Sequence, residues 1–346
     1  MSSRLTALLK MGLNASAYVD AFADVEQGIL GREETINTAV RRKFVQSFSF
    51  GGNGDIGKLW HHARMIPQDD PMTQSRPSFE RIEQAPAFLP HCNDPRIVAM
   101  GLAPMQGSWV DTTPSDAWRA HKTSVREQLG RRVYAVLDEG GAAANEFAGL
   151  VFDLVGKKSG ASGAEALWQA SLEVADDLVV MQSDDHGKYR LVATSLCSPS
   201  DWRLEEKLGA TMAEVHGPIP RLNDEIGDQI DRFFTRLPTD RFTQRFNWSL
   251  MPHPDLMSRD EWQVNPASNQ LWYRAERQSL RRLPTSGAIA FTIRVHICDL
   301  TALLPIEGAL ESLWSAVETA PNDLRRYKGL DILSPVIANW RLKNRA

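Results

Sequence analysis

The chain has 346 residues, of which 42% are hydrophobic and 24% are charged, and its formal net charge is −4. These are ordinary values for a globular protein with a sizeable core, and the lack of a basic excess argues against nucleic acid as a partner. The three widely spaced cysteines, Cys92, Cys197 and Cys298, argue against a disulfide framework and against a cysteine-based zinc or iron–sulfur site. Because no apolar run is long enough to span a bilayer, we expect a soluble, cytoplasmic protein with no membrane partner.

Residues 1–95 are predicted to form a helical and extended region that precedes the main domain. Apolar periodicity over residues 1–50 predicts helices, and the glycine-rich stretch 48–57 lacks the strand, helix and lysine context of a phosphate-binding loop. The many prolines of residues 66–95 predict an extended connector, because proline removes a backbone donor and fixes φ.

The next part of the chain combines helical and strand patterns. An apolar stripe from Pro114 to about Val155 predicts a helix, which a Gly/Ser/Ala-rich segment ends at 157–166. Two β-rich runs, 177–183 and 188–196, flank a short polar turn and therefore predict a hairpin.

The remaining pattern predicts helices followed by three strands. Helices are expected at 202–217, with Leu204, Leu208, Met212 and Val215 on the inner side, at 224–236, and finally at 305–320. Strands are expected at 242–251, 270–280 and 287–297.

This order predicts an α+β fold with an antiparallel sheet and helices on one face. Hairpin, helices and three-strand meander is also the order of a PAS domain, whose cofactor lies between its last helix and the sheet. We therefore predict a PAS-like domain at 96–325, with its core at about 177–298 and a C-terminal tail at 326–346.

Several motifs together resemble the haem-dependent oxidative N-demethylase family over about residues 95–320. The motifs that carry this resemblance are Met100-Gly-Leu-Ala-Pro, Trp109, Cys197-Ser-Pro-Ser-Asp-Trp202, Lys207, Gly209, His216-Gly-Pro-Ile-Pro220, Arg245-Phe-Asn-Trp248 and the run from Arg274 to Pro284.

The resemblance implies a PAS-type domain that holds haem b, with its iron bound by a histidine. It implies a monooxygenase that uses O2 to demethylate a small methylated amine such as dimethylamine, giving methylamine and formaldehyde. Electrons would come from NADPH through separate flavin and iron–sulfur subunits that dock transiently. The chain has no dinucleotide fingerprint and few cysteines, which agrees with a haem-only subunit.

His216 is the first choice for the iron ligand. On a continuous helix over 202–217, His216 would lie close to Met212 and Gly209, and a flat macrocycle could lie against that surface. His253 and His296 remain competing ligands, and a histidine buried for structural reasons remains the alternative.

Arginines and one glutamate on the predicted strands are the other candidates. Arg245, Arg274 and Arg277 could bind haem propionates through charge-assisted hydrogen bonds, and Trp248, in the same motif as Arg245, is a further candidate for contact with the cofactor. Glu276 would need an arginine or a cationic amine as its partner if it were buried.

The candidate catalytic residues lie on one strand. They are Tyr273, Arg274 and Glu276. Strand alternation places Tyr273 and Arg277 on one face and Arg274 and Glu276 on the other, and one of these sets should face the cofactor. A solvated charge ladder is the competing interpretation.

Two other function classes remain open. A haem-based gas or redox sensor, or a binding module, could use a PAS scaffold without turnover, although no output domain is recognisable in the sequence. A homologue that has lost haem is the third possibility.

Overall fold

A computed structural model describes residues 82–98, 101–200, 202–217, 219, 230–259 and 261–345. The predicted helices of residues 1–50 and the loop at 48–57 lie outside these residues, as does the connector before residue 82. Within the described ranges, no helix combines the length and the apolar character that crossing a bilayer requires.

A seven-stranded antiparallel sheet is the centre of the fold, in the order β1-β5-β6-β7-β3-β4-β2. Its strands are β1 (Ala103–Pro104), β2 (Tyr134–Val136), β3 (Asp177–Ser183), β4 (Tyr189–Ser195), β5 (Thr243–Met251), β6 (Trp272–Arg282) and β7 (Ile289–Asp299). The predicted hairpin is β3–β4, the predicted meander is β5–β6–β7, and β3 pairs with β7 to join them. The predicted α+β class is therefore confirmed.

The described helices lie before, between and after the strands. They are α1 (Pro90–Asn93), α2 (Asp116–Leu129), α3 (Gly141–Val155), α4 (Gly163–Ser171), α5 (Met212–Val215), α6 (230–236), α7 (Ala309–Thr319), α8 (Asn322–Tyr327) and α9 (Leu330–Asn344).

The helix predicted from Pro114 to Val155 is two helices separated by a strand. The first helix, α2, ends at the cap residue Gly130, and the strand β2 then pairs with β4 before α3 begins. Valine and leucine at spacings of three and four fit a helix, but the same residues also favour a strand, so periodicity alone did not separate the elements.

The continuous helix predicted over 202–217 is wrong. A short 3-10 helix, Leu204–Glu206, is followed by a turn, and α5 begins only after Thr211, whose hydroxyl and the carboxylate of Glu214 form a capping box. In the turn, Gly209 has φ +80°, a conformation that favours glycine, and its N–H donates to the Leu191 carbonyl at 2.8 Å.

The two faces of the sheet are covered differently. The face that we call the helix face packs against the helices α3, α4, α7 and α9, through buried residues such as Val180, Trp248 and Tyr273. The opposite face packs against the segment between β4 and β5, which includes the 3-10 helix, α5 and α6; Met212 and Phe234 lie in the same apolar cluster as Leu280 of the sheet.

The C-terminal residues 326–346, predicted to be a tail, contain α9, which packs into the core of the helix face. Its buried side chains are Leu330, Leu333, Val336, Ile337 and Trp340. Gly329 precedes it at φ +67°, and a Cβ there would come within 2.5 Å of the Trp262 ring, so this turn requires glycine.

This packing predicts a large loss of stability for Trp340→Ala. Trp340 is 1% exposed, so its truncation should lower the free energy of unfolding by about 3–5 kcal/mol. Urea denaturation followed by circular dichroism measures this loss. On the same helix, Leu342 is 82% exposed, and Leu342→Ala should change stability by less than about 0.5 kcal/mol. Equal effects of the two substitutions would contradict the docking of α9.

Candidate functional site

A buried ion pair lies on the opposite face of the sheet, between Arg274 and Glu276 of β6. The Nε and Nη2 atoms of Arg274 donate to Glu276 Oε1 at 3.1 and 3.0 Å. Glu276 Oε2 accepts from Asn247 Nδ2 at 3.4 Å and from Gln278 Nε2 at 3.1 Å. Burial alone would raise the pKa of Glu276, but the charge and hydrogen bonds of Arg274, with Lys328 nearby, hold it below its ordinary value. Glu276 is therefore ionised, and both of its oxygens are occupied.

Arg274 also connects the sheet to two loops. It is 1% exposed, its Nη1 donates to the Leu256 carbonyl at 3.0 Å, and its Nη2 donates to the Ser198 carbonyl at 2.6 Å. The same Ser198 donates its N–H to Asp177 Oδ2 at 2.7 Å. The backbone of the Cys-Ser-Pro-Ser motif is thus held between Asp177 and Arg274, which explains why that motif lies beside the ion pair.

Lys328 is a member of this site that the sequence reasoning missed, because residues 326–346 were interpreted as a tail. Its Nζ donates to Asn247 Oδ1 and to the Trp248 carbonyl, both at 2.8 Å. Burial lowers the pKa of Lys328 to about 8, with Arg245 and Arg274 acting in the same direction and Glu276 opposing them. The contact with Lys328 also fixes which end of the Asn247 amide faces Glu276.

His216 lies at the C-terminal end of α5, where its N–H donates to the Met212 carbonyl at 3.0 Å. Its Nδ1 atom is buried and has no hydrogen-bond partner within the part of the chain that the structure describes. Burial, followed by the charges of Arg245 and Lys207, lowers the pKa of His216 to about 4. The imidazole is therefore neutral at pH 7, the form in which histidine binds metals.

Two residues, Met212 and Gly209, were predicted to lie beside His216, and the structure places only Met212 close to it. Met212 is buried and stands one helical turn before His216 on α5. Gly209 is not on that helix; it lies in the turn beside β4, where a Cβ on this residue would have Leu137 Cδ1 as its nearest neighbour, at 3.6 Å. The helical-surface argument for Gly209 is therefore wrong.

Tyr273 and Trp248 lie on the helix face, across the sheet from Arg274 and Glu276. The Tyr273 hydroxyl donates to His91 Nδ1 at 2.9 Å, and His91 Nε2 donates to the Ala309 carbonyl at 3.0 Å. The rings of Trp248 and Tyr273 stack with centroids 6.2 Å apart. Burial raises the pKa of Tyr273, so its hydroxyl stays protonated. These two side chains belong to a packed core rather than to the polar group on the opposite face.

Arg277 also lies on the helix face. Its Nη2 pairs with Asp176 Oδ1 at 3.5 Å, and its Nη1 donates to the Ser108 carbonyl at 3.2 Å. The alternation predicted for the strand is confirmed by the pairing of Phe246 with Arg277 and of Asn247 with Glu276. Arg277 therefore does not share a face with Arg274, as a common binding role would require.

Arg245 is the remaining predicted cofactor residue, and it lies on the same face as Glu276. It pairs across the strands with Gln278, and its charge contributes to the low pKa of His216. Of the candidate site residues, the structure thus brings together Arg245, Arg274, Glu276, Met212 and His216.

The competing histidine ligands both have carboxylate partners. His253 Nδ1 lies 3.3 Å from an oxygen of Asp255. His296 is on the helix face, and its Nδ1 lies 2.5 Å from Glu83 Oε1. Of these histidines, His216 is the one whose Nδ1 lacks a partner among the described residues.

A second buried polar network, which the sequence reasoning also missed, lies at the start of β3. Lys122 is 1% exposed, and its Nζ donates to the carbonyls of Ser171, Val174 and Asp176 at 2.8, 3.0 and 2.7 Å. The carboxylate of Asp177 accepts the N–H groups of Cys197 and Ser198. An Asp-Asp pair opening an apolar strand was the available signal in the sequence.

Comparison with known families identifies the chain. The family described as haem-dependent oxidative N-demethylase, alpha subunit-like, matches residues 130–338, which is more than half of the chain. The chain belongs to this family. The match spans β2 to most of α9, so it includes the Arg274–Glu276 ion pair, His216 and Lys328. The family name indicates a haem-dependent oxidoreductase, and its mention of an alpha subunit suggests partner subunits.

The environment of Asp177 predicts a specific pH dependence of stability. Burial raises the pKa of this carboxyl from 3.8 to about 6, against the opposing effects of Lys122 and the two N–H donors. Because the folded state holds the proton to a higher pH than the unfolded state, stability should fall by about 2 kcal/mol as the pH rises from 4 to 6.

Asp177→Asn should remove this part of the pH dependence while keeping an oxygen that accepts a hydrogen bond. The measurement is urea denaturation at pH 4, 5, 6 and 7 for wild type and variant. Asp185→Asn, in the exposed hairpin turn, is the matched control and should leave the pH profile unchanged. Parallel profiles for wild type and Asp177→Asn would show that the carboxyl does not titrate in this window.

Proposed function

We propose that this chain is the haem-binding subunit of an oxidative N-demethylase, in which His216 would bind the haem iron. The observation that carries the proposal is the neutral ring of His216, whose buried Nδ1 has no partner among the described residues. A buried polar atom without a partner is costly, and a group that bonds to this nitrogen would remove that cost.

The residues around His216 fit haem b. Arg245 and Lys207 place positive charge near the ring, and arginine binds carboxylates such as propionates through strong charge-assisted bonds. Met212 supplies an adaptable apolar contact on the same helix. When bound, haem supplies iron-based activation of O2, with the polarity of the distal pocket deciding between O2 binding and activation.

The strand order supports a PAS-type arrangement of the cofactor. The β3–β4 hairpin lies beside β7 of the three-strand meander, and the segment between β4 and β5 covers the opposite face. A PAS domain holds its cofactor between its last helix and the sheet, which here corresponds to the side of α6 and His216.

Glu276 is the proposed counter-charge for a small methylated amine such as dimethylamine. Arg274, Asn247 and Gln278 hold the carboxylate ionised and fixed, so its negative charge would partly offset the positive charges of Arg274, Arg245 and Lys328 and lower the cost of placing a protonated amine at the same face. Lys328 positions Asn247 and so supports the carboxylate indirectly. The chain's own groups would thus position the amine and set the local charge.

Electrons are proposed to come from NADPH through partner subunits that carry flavin and iron–sulfur centres. Cys197 and Cys298 are buried, and burial raises the pKa of both thiols, so neither resembles an iron–sulfur ligand. The alpha subunit-like description of the family supports the presence of partner subunits.

His216→Ala should abolish stoichiometric haem binding or shift the Soret band, because it removes the proposed iron ligand. The measurement is haem content by pyridine haemochrome together with the absorption spectrum. His253→Ala, whose ring pairs with Asp255, is the control and should keep the wild-type spectrum. An unchanged spectrum in His216→Ala would refute the ligand assignment.

Glu276→Gln should reduce turnover more than haem content, because the proposed counter-charge is lost while His216 is untouched. Loss of charge-assisted bonds of this kind costs about 1.5–3 kcal/mol, so the rate should fall roughly 10- to 150-fold. Formaldehyde formed from dimethylamine, with a chemical reductant and O2, is the measure, and exposed Glu127→Gln is the control.

If the reduced, haem-loaded wild type binds O2 or CO reversibly but forms no formaldehyde from a broad panel of amines, the demethylase proposal fails. A haem-based sensor would then be the better description.

A further inference from the structure

Five arginines gather at the end of the sheet where β6 finishes and β5 starts. We call this surface the basic end; its members are Arg232, Arg236, Arg241, Arg281 and Arg282. In the sequence, Arg281 and Arg282 form one run with Arg274 and Arg277, but the structure separates them. Arg274 and Arg277 are committed to partners inside the fold, whereas the last two arginines reach the surface.

Hydrogen bonds and strand register hold the basic end together. Arg282 Nη1 donates to the Thr235 carbonyl of α6 at 3.0 Å, and the Arg281 guanidinium lies 5.4 Å from the centre of the Phe242 ring. The register that pairs Thr243 with Leu280 places position 241 opposite position 282. Arg232 and Arg236 are exposed and stand four residues apart, so they share one surface of α6.

Among the residues that the structure describes, this surface has an excess of positive charge, in a chain whose net charge is −4. The acidic residues of 230–243 are Asp231 and Asp240, and Asp231 is already bonded to Lys188 and to the Tyr189 N–H. None of the five arginines forms an ion pair with a residue that the structure describes. Arg232, Arg236 and Arg241 are exposed, so their guanidinium groups are accessible to an external anion, whereas Arg281 and Arg282 are half-buried and add positive charge at the same end of the sheet.

The basic end borders the proposed haem site. Phe234 and Leu237, on and just after α6, pack in the same cluster as Met212, one turn before His216. Along β6, Arg282 is six residues from Glu276 on the same face of the sheet, which corresponds to about 20 Å. A protein bound at this end would lie close to the segment that carries His216.

We propose that the basic end is the docking surface for an acidic electron-transfer protein that delivers electrons to the haem site. This proposal rests on the proposed function, in which the chain receives its electrons from a partner. A protein with an acidic surface suits five arginines spread around the end of a sheet, because complementary charge speeds the encounter of two proteins. A nucleic acid is a poorer fit, since the chain as a whole is acidic.

The test compares two double variants in the haem-loaded, full-length chain. Arg232→Glu with Arg236→Glu reverses charge on exposed positions of the basic end; Arg131→Glu with Arg132→Glu makes the same change at exposed positions before β2. The probe is an acidic [2Fe–2S] ferredoxin kept reduced by its NADPH-dependent flavoprotein. Stopped-flow absorption follows reduction of the haem by this ferredoxin and, separately, by dithionite.

The expected result is a 10- to 100-fold slower reduction by ferredoxin at low salt for the Arg232/Arg236 variant only, with the difference shrinking as salt is raised. Dithionite should reduce all three proteins equally. The proposal is overturned if ferredoxin does not reduce the wild type or if it reduces the Arg232/Arg236 variant as fast as the wild type. It is also overturned if ferredoxin reduces both double variants equally slowly. Failure of the proposed function is distinguishable, because it shows as absent haem or as no formaldehyde with a chemical reductant.

Discussion

The buried ion pair between Arg274 and Glu276 is the interaction on which the rest of the site depends. Placing both charges away from water is costly and is tolerated only when every donor and acceptor is matched. Here Arg274 also bonds the carbonyls of Ser198 and Leu256, and Glu276 also accepts from two side-chain amides. One guanidinium therefore joins the sheet, the Cys-Ser-Pro-Ser motif and the loop after β5 into one rigid unit.

The alternation of β6 explains why neighbouring residues have unrelated roles. Tyr273 and Arg277 point toward the helices, where one bonds His91 and the other Asp176, whereas Arg274 and Glu276 point toward the segment that carries His216. Consecutive residues of a strand do not share one site, because their side chains point alternately to the two faces of the sheet. The arginines of 274–282 therefore have three different roles. Arg277 bonds within the helix face, Arg274 forms the buried ion pair, and Arg281 and Arg282 lie at the end of the sheet.

The sequence was sufficient for β3 to β7, because β-rich runs bounded by turn residues leave few alternatives; β3 was predicted with its observed bounds. It was not sufficient for β1, which was not predicted, or for β2, which lay inside a predicted helix. It was insufficient for 202–217, where leucine spacing fits a helix as well as a 3-10 turn followed by α5. The positive φ of Gly209 and the bond to Leu191 that interrupts the helix are tertiary features. Lys328 was missed for the same reason, since its partners are about eighty residues away.

The position of Lys328 connects the C-terminal helices to the chemistry of the opposite face. Trp340 and its neighbours anchor α9 in the core of the helix face, while Lys328, just before the Gly329 turn, reaches Asn247 and the Trp248 carbonyl on β5. Trp248 packs against the helix face, and Asn247 faces Glu276, so consecutive residues of β5 couple the two sides. The charge of Lys328 is held beside Glu276 only while α9 stays docked, which makes the stability of the C-terminal helices a condition for an ordered site.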